Sequence, residues 1–343
     1  MGHYLVARFN GIAIKTFSIG FGKELLGFTD KHGTRWKISM IPLGGYVQFL
    51  GDMNVASVPD PKAIAQFSSE EAPRLFANKS VWARISVVIA GPLANVIFTF
   101  LILYALLLGY GKYTIPAIID NVAPNGVAQM AGIEPKDEII SIDGYDVRSF
   151  SDIQKLVSTS PDRPIEIVLK RELELKTIIL TPVSTQVTDR FGNSNRIGRI
   201  GISRTTNPDD VTLFKPNMFE AVGMTVEEIT FIIDRTAAFL GDFFVGRGDL
   251  EQLGGPIKIA KVSGEVATLG ILALINLAAL LSLNIGIFNL LPIPMLDGGH
   301  LLYYIIEAIR KKPLSMRIQE AGYKIGLFLV LSLMIFTVFN DLT

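Results

Sequence analysis

The chain has 343 residues, of which 49% are apolar and 19% charged, and its 32 basic side chains balance 32 acidic ones. Soluble proteins carry about 25% charged residues, so this composition favours a membrane protein, and a net charge of zero gives no reason to expect nucleic-acid binding. The absence of cysteine excludes disulfides and cysteine-ligated metals. A metal site would therefore depend on Asp, Glu, Asn and three histidines, which are His3, His32 and His300.

Short strands and turns are predicted for residues 11–51, because glycines interrupt short apolar runs throughout this part. A hairpin turn at residues 31–33 is predicted between Phe28 and Trp36. The preceding ten residues are too short to span a membrane and lack the pattern of a signal peptide. Two interpretations stay open for residues 11–51: a small soluble sheet, or a β-hairpin that dips into a membrane beside an active site.

Three uncharged runs are candidate membrane spans, since a spanning helix needs about 20 apolar residues. Residues 85–111 hold 27 residues without a charge, and residues 267–296 hold 30. The third run, residues 325–340, is long enough if the preceding turn is included. Asn95 in the first run suggests a polar contact inside the protein, and either packing or substrate contact fits this asparagine.

The second run ends in an unusual acid, Asp297. Pro292 and Pro294 are expected to end the helix before this residue is reached. An acidic side chain at membrane depth costs about 3 kcal/mol on insertion scales, so it usually marks a functional site. We interpret Asp297 as a metal ligand.

Residues 115–185 have the character of a soluble module. The predicted strands are 115–122, 138–142, 165–170 and 176–181, and the predicted helices are 125–131 and 150–158, with Ser149 as N-cap. Residues 186–216 read as a strand and a linker. The pattern of residues 217–245 predicts a helix that carries too many charges to span a membrane. We expect this helix to lie at the membrane surface or against the bundle of membrane-spanning helices.

The distribution of basic residues predicts the topology. Residues 8–84 hold ten Lys or Arg, and Arg310, Lys311, Lys312 and Arg317 precede the last span. The positive-inside rule assigns both segments to the cytoplasm. Two intervening spans then place the soluble module on the extracytoplasmic side.

Two stretches of the module resemble a PDZ domain of the bacterial protease type: VAPNGVAQMAGI at residues 122–133 and DEIISIDG at residues 137–144. The sequence departs from that pattern at Lys136, where such domains often have glycine. PDZ folds bind extended peptides or C-termini by adding a strand to a sheet edge. A role as a steric plug fits the module as well.

A second resemblance rests on the pattern Asn-x-x-Pro-x-Pro-x-x-Asp-Gly, formed here by Asn289, Pro292, Pro294, Asp297 and Gly298. Together with the glycine-rich hairpin, Gly91-Pro92 with Asn95, the PDZ-like module and the terminal span, it resembles the site-2 protease family of intramembrane zinc metalloproteases. That family joins this pattern to a His-Glu-x-x-His motif, whose histidines bind zinc and whose glutamate is the general base.

The resemblance implies the roles of six residues. His3, as the second histidine of that motif, and Asp297 would be zinc ligands. Asn284 and Asn289 would hold the substrate backbone or polarise its carbonyl, and Gly44 and Gly45 would help present the substrate as a strand. The implied reaction is attack of zinc-activated water on a peptide bond within a membrane helix.

The other two histidines are expected to be structural. His32 lies in the predicted hairpin turn, and His300 follows Asp297 by three residues. A supporting contact from His300 to the metal ligand is the alternative.

The predicted fold is an α-helical polytopic membrane protein with three complete spans and the remnant of a first. It has a membrane-associated β-hairpin region and one inserted PDZ-like α+β domain. The expected parts are residues 1–110 and 266–343 for the protease core, 113–185 for the PDZ-like domain, and 186–265 for a linker and an amphipathic helix.

The sequence departs from the family pattern at its start. The first histidine and the glutamate of the motif would lie immediately before Met1. We expect the true protein to be longer, and the alternative is a genuine short form without activity. Two protein ligands make a weak zinc site, and no general base is present, so we expect the chain as written to show little proteolysis.

The resemblance to the site-2 protease family implies an intramembrane zinc endopeptidase of the bacterial inner membrane. It also implies the lipid bilayer and a single-span substrate of the anti-sigma-factor type as partners, the substrate being cleaved in regulated intramembrane proteolysis. A non-catalytic adaptor that binds exported peptides through its PDZ-like domain is the alternative. A transporter with broken helices ranks last, because no inverted repeat is apparent.

Overall fold

The computed structural model describes residues 1–51, 67–188, 194–205, 210–244 and 254–342. Internal packing divides the chain into two compact units. We call them the first unit (residues 1–102 and 253–343) and the second unit (residues 103–252).

The described residues form a mixture of helices and strands in the first two thirds of the chain and helices alone in the last third. The helices are α1 (Gly2–Phe9), α2 (Val81–Tyr110), α3 (Val127–Met130), α4 (Phe150–Ser158), α5 (Met218–Phe244), α6 (Pro256–Thr268), α7 (Ile271–Asn289), α8 (Asp297–Arg310) and α9 (Met316–Leu342). The strands are β1 (Ile14–Thr29), β2 (Arg35–Phe49), β3 (Lys112–Thr114), β4 (Asn121–Val122), β5 (Glu138–Ile142), β6 (Tyr145–Asp146), β7 (Ile165–Arg171), β8 (Glu174–Leu180), β9 (Val183–Thr188), β10 (Ser194–Arg199), β11 (Ile202–Ser203) and β12 (Thr212–Phe214).

Three helices among the described residues are long and apolar enough to cross a membrane, namely Val81–Tyr110, Ile271–Asn289 and Arg317–Leu342. The second is shorter than the predicted run of residues 267–296, because α6 ends at Thr268 and Gly270, at φ +105°, breaks the chain. Helix α7 ends at Asn289, before both prolines, as the sequence predicts.

The hairpin of the first unit is formed by β1 and β2, with a turn at Gly33 as predicted. Thr16 pairs with both Gln48 and Arg35, and the next three residues of β1 also have two partners each. The beginning of β1 therefore lies between the two halves of β2, so the hairpin folds back into a small sheet. Residues 45–49 form one margin of that sheet.

Small residues bring the helices of the first unit close together. A Cβ on Gly286 in α7 would lie 3.1 Å from the Cβ of Asn95 in α2. One helical turn further along, Thr99 Oγ1 donates to the Ala279 carbonyl at 2.8 Å. Short side chains and hydrogen bonds of this kind hold helices together where lipid weakens the hydrophobic effect. Asn95 thus has a packing role.

The second unit contains a four-stranded sheet in the order β6-β5-β7-β8. Its core consists mainly of buried aliphatic side chains, including Ile139, Ile142, Ile153, Ile167 and Leu169. Helix α4 begins where the sequence predicts, because Ser149 Oγ accepts a hydrogen bond from the Asp152 amide. The predicted strands at 138–142, 165–170 and 176–181 are present as β5, β7 and β8.

The segment predicted as a linker completes this unit. Strand β11 pairs with β4, and β12 pairs with β3, so residues after the sheet return to its beginning. These pairings join residues about 80 to 100 positions apart, so no local sequence pattern predicts them.

Helix α5 docks on the module. Phe231 belongs to the apolar core, Lys155 donates to Glu228 at 2.5 Å, and Tyr145 hydrogen-bonds to Asp234. The sequence predicts a membrane surface or the helix bundle as surroundings of this helix, and this stays a prediction. The charged face of α5 contacts the module, where it complements basic side chains on and after α4.

A buried ion pair fixes the start of β5. Arg171 donates to both Asp137 oxygens at 2.8 Å, and the Glu134 amide donates to the same carboxylate at 2.9 Å. Burial alone raises the pKa of Asp137, but these hydrogen bonds outweigh it and hold the pKa below its usual range. The neighbouring Lys136 has φ +76°, a left-handed conformation that glycine adopts at lower cost than lysine.

Candidate metal centre

His3 reaches the interior of the first unit because α1 lies directly against α2. A Cβ on Gly2 would overlap the Ala90 carbonyl oxygen, and a Cβ on Gly91 would overlap the His3 ring. Glycine at both positions therefore lets the backbones approach and leaves room for the imidazole.

The orientation of the His3 ring follows from its second nitrogen. Nδ1 lies 2.9 Å from the carbonyl oxygen of Val87 in α2. A carbonyl only accepts, so Nδ1 carries the proton and donates. In the neutral ring, the lone pair of Nε2 is then free to bind a metal, as in many histidine sites whose other nitrogen donates to a backbone carbonyl.

Asp297 is held at the opposite wall by the turn that follows α7. It is the first residue of α8, where the positive end of the helix dipole favours a carboxylate. A Cβ on Gly298 would overlap the carbonyls of Leu290 and Leu291, and one on Gly299 would overlap the Ile293 carbonyl. The two glycines after the acid allow this close return of the chain, and Met295 adopts φ +95° within it.

His3 Nε2 and Asp297 Oδ2 lie 3.4 Å apart. Two ligand atoms at roughly 2.0–2.1 Å from a tetrahedral zinc ion are separated by about 3.3 Å. His3 Nε2 and Asp297 Oδ2 both carry lone pairs, and two such atoms at this distance repel each other unless a cation or a proton lies between them. The pair fits two corners of a zinc site, and the described part of the chain holds no cluster of three or more His, Cys, Asp or Glu side chains suited to a metal.

The pair opens onto a cavity of about 220 Å³. Its lining is His3, Gly45, Tyr46, Val47, Phe49, Phe76, Val87, Val88, Asn289, Met295, Leu296, Asp297, His300 and Tyr304. Of the residues proposed from sequence, His3, Asp297, Asn289 and Gly45 are thus brought together. The last residues of β2 form one wall, and the end of α7 with the start of α8 forms another.

Two of the proposed residues lie elsewhere. Asn284 precedes Asn289 by five positions on α7, which turns it to another side of the helix, and it is not among the lining residues. Gly44 is also outside the lining. Its φ of +88° shows that it shapes the bend of β2 before Gly45.

The remaining histidines differ from each other. His32 is exposed in the hairpin turn, where its amide donates to Asp30 at 2.8 Å. His300 lines the cavity beside Asp297, and its ring stacks on Tyr304 at 6.4 Å between centroids. Its position agrees with the alternative of a supporting role near the metal ligand.

Sequence reasoning missed an ion pair that lies next to a residue of the cavity lining. Arg84 of α2 donates to both carboxylate oxygens of Glu307 in α8, at 2.5 and 3.1 Å. The Arg84 guanidinium also lies 4.8 Å above the ring of Tyr304, a lining residue. The pair connects the helix that orients His3 to the helix that carries Asp297. Residues 223 positions apart give no local signal of such a contact.

Asp30 connects α1 to the hairpin turn. Its carboxylate accepts from the hydroxyl of Tyr4, next to His3, at 3.2 Å and from Trp36 Nε1 at 3.1 Å. Burial alone raises the pKa of Asp30, but the hydrogen bonds from Trp36 and neighbouring groups lower it to about 2. The carboxylate is therefore charged at neutral pH and holds α1 against the hairpin.

Comparison with known proteins gives a consistent result. A family model described as Peptidase family M50 matches residues 1–333. The chain is 44% identical over 344 residues to a protein of Agrobacterium fabrum whose provisional name is zinc metalloprotease, covering all of this chain and 91% of that one. It is 34% identical to the metalloprotease MmpA of Caulobacter vibrioides, covering 100% and 91%.

A third relative is the regulator of sigma E protease of Haemophilus influenzae, which is 31% identical over 99% of this chain and 94% of its own. Among solved structures, the chain is similar to the PDZ domain of an SdrC-like protein from Listeria monocytogenes. That match has 17% identity and a TM-score of 0.20, and it covers 25% of this chain and 83% of the other.

Proposed function

Because this chain belongs to peptidase family M50 and is a membrane zinc metalloprotease by family, we propose that it cleaves a single-span membrane protein within the bilayer. One observation carries the proposal. His3 and Asp297, nearly 300 positions apart in sequence, place Nε2 and Oδ2 3.4 Å apart at a cavity between apolar helices. Isolated polar side chains are rarely placed so without a function.

His3 Nε2 and Asp297 Oδ2 would hold the zinc ion. When bound there, zinc supplies Lewis acidity toward a peptide carbonyl and toward water. His3 Nδ1 keeps its proton and donates it in a hydrogen bond to the Val87 carbonyl, which holds the ring in its metal-binding tautomer. Asp297 is the first residue of α8, where the backbone amides of the helix start favour a carboxylate.

The margin of the hairpin sheet, residues 45–49, would present the substrate. Gly45, Tyr46 and Val47 of this margin pair with β1, and all three line the cavity. A helical substrate hides its amides, so a segment unwound beside this margin gains strand-type hydrogen bonds as it reaches the cavity. The Asn289 side chain, on the opposite wall, offers an amide to hold the substrate backbone or polarise its carbonyl.

The biological setting follows from the relatives and the charge distribution. Similarity to a regulator of sigma E protease supports regulated intramembrane proteolysis with an anti-sigma-type substrate. The basic segments before α2 and before α9 favour the cytoplasmic side, in a bacterial inner membrane, which leaves the PDZ-like domain periplasmic. There it would bind a peptide or limit the size of substrates.

Cross-linking tests the substrate site directly, and the cysteine-free chain makes it clean. Tyr46→Cys places a thiol in the cavity, and Leu173→Cys places one on the exposed β7–β8 turn. With a single-span substrate carrying cysteines along its span, we expect disulfides from Tyr46→Cys to the middle of that span. Cross-links confined to the second unit would instead favour the adaptor.

A further inference from the structure

The start of α5 lies beside the end of α2. Gly111, at φ +71°, turns the chain from α2 into β3, and a Cβ there would lie 2.5 Å from the carbonyl oxygen of Phe214. Phe214 is the last residue of β12, the partner of β3. The segment that leads into α5 is therefore held against the last residue of the helix.

The contact continues inward along α2. The Tyr104 hydroxyl lies 3.5 Å from the carbonyl oxygen of Met218, the first residue of α5. Tyr104 precedes the end of α2 at Tyr110 by six residues, and a helix rises 1.5 Å per residue, so this contact is about 9 Å from the helix end. Helix α5 therefore begins beside the last two turns of a candidate membrane span.

Large apolar side chains are exposed at this level. Tyr113, Met218 and Phe219 are 70%, 66% and 89% exposed. Along α5 the exposed face continues through Val222 and Val226, three and seven positions after Phe219, which is the spacing of one helical stripe. We call these five residues the interface patch.

The opposite side of α5 packs on the module. Phe231 is 6% exposed within the core of the second unit, and Lys155 pairs with Glu228. The interface patch thus contributes nothing to docking α5 on the module. A contiguous exposed apolar surface of this kind marks contact with another apolar phase.

We propose that the interface patch inserts into the headgroup boundary of the lipid bilayer and holds the second unit against the membrane. Aromatic and aliphatic side chains at the end of a span are typical of that boundary. Lys215 supports a lipid rather than a protein partner. Its exposed side chain lies beside the end of α2, with Cγ 3.0 Å from the position that a Cβ on Gly111 would occupy. An ammonium group at the end of a span can pair with lipid phosphate.

Spin labels test the depth of the patch in proteoliposomes of the full chain. Phe219→Cys and Leu173→Cys place single nitroxides at two exposed apolar positions of the same unit, 89% and 93% exposed. Oxygen concentrates in lipid, whereas a charged nickel chelate stays in water. We expect the ratio of oxygen to nickel collisions to be at least several-fold higher at position 219 than at position 173.

Equal collision ratios at the two positions would overturn the proposal. A label at position 219 shielded from both reagents would also overturn it, because that result marks a protein partner. Val226→Cys repeats the measurement on the same stripe and guards against a local effect of replacing Phe219.

Discussion

The two units are stabilised by opposite kinds of side chain. The second unit buries large aliphatic residues such as Ile139, Ile167 and Leu169, as a water-soluble domain does. The first unit exposes many of its large apolar residues and holds its helices together where Gly2, Gly91 and Gly286 admit a neighbour. The loss of a large side chain should therefore damage the second unit, whereas the addition of a small one should damage the first.

The largest effect is expected in the second unit. Arg171→Met leaves the buried Asp137 carboxylate without its main partner, which should lower the free energy of unfolding of this unit by roughly 3–5 kcal/mol. Thermal unfolding of the full chain in detergent, followed by circular dichroism of the sheet, measures it. Arg196→Met, which removes an exposed ion pair with Asp162, is the matched control and should change stability by less than about 1 kcal/mol.

The same pair predicts a dependence on pH. The pKa of Asp137 is lowered in the folded unit, so its contribution is fully present above the unfolded value of about 3.9. That contribution should be lost as the pH falls through the lower, folded value. Arg171→Met should show a shallower loss of stability below about pH 4, and equal slopes in the two proteins would contradict the assignment.

A small addition tests the first unit. Gly91→Ala introduces a methyl group that overlaps the His3 ring, and we expect zinc affinity to fall roughly 10- to 100-fold, as when a group that orients a ligand is disturbed. Gly109→Ala, on the same helix, meets no atom within 4 Å and should leave zinc affinity unchanged. Competition with a chromophoric chelator measures both, and similar affinities in the two variants would argue against close packing at His3.

The smallest expected effect is a gain in the stability of the second unit. Lys136→Gly relieves a left-handed conformation at φ +76° beside the Asp137 ion pair. We expect the second unit to gain about 1 kcal/mol in the free energy of unfolding, measured by chemical denaturation. Lys170→Gly, within β7, should instead destabilise it, because glycine weakens a strand interior.

How much the sequence predicts also differs between the units. Helix α4 and strand β5 follow from local signals, the Ser149 cap and the alternation before the turn at residues 143–144. The proline pair predicts where α7 ends, and the Asp-Gly pattern identifies Asp297. Each of these depends on residues close in sequence.

Distant contacts escape such reasoning. Helix α8 begins at Asp297 itself, although the sequence analysis proposes no helix there. The return of β11 and β12 to the start of the second unit and the Arg84–Glu307 pair bring together residues far apart. Asn289 lines the cavity and Asn284 does not, and this difference can be seen only once the position of α7 in the structure is known.

The central claim is that His3 and Asp297 form two parts of one zinc site. Zinc affinity of the full chain in detergent should be compared among His3→Ala, Asp297→Ala and the double variant, with exposed His32→Ala as control. We predict that each single substitution lowers zinc affinity at least tenfold, that the double variant loses little more, and that His32→Ala has no effect. Unchanged affinity in both single variants, or losses that simply add in the double variant, would contradict a shared site.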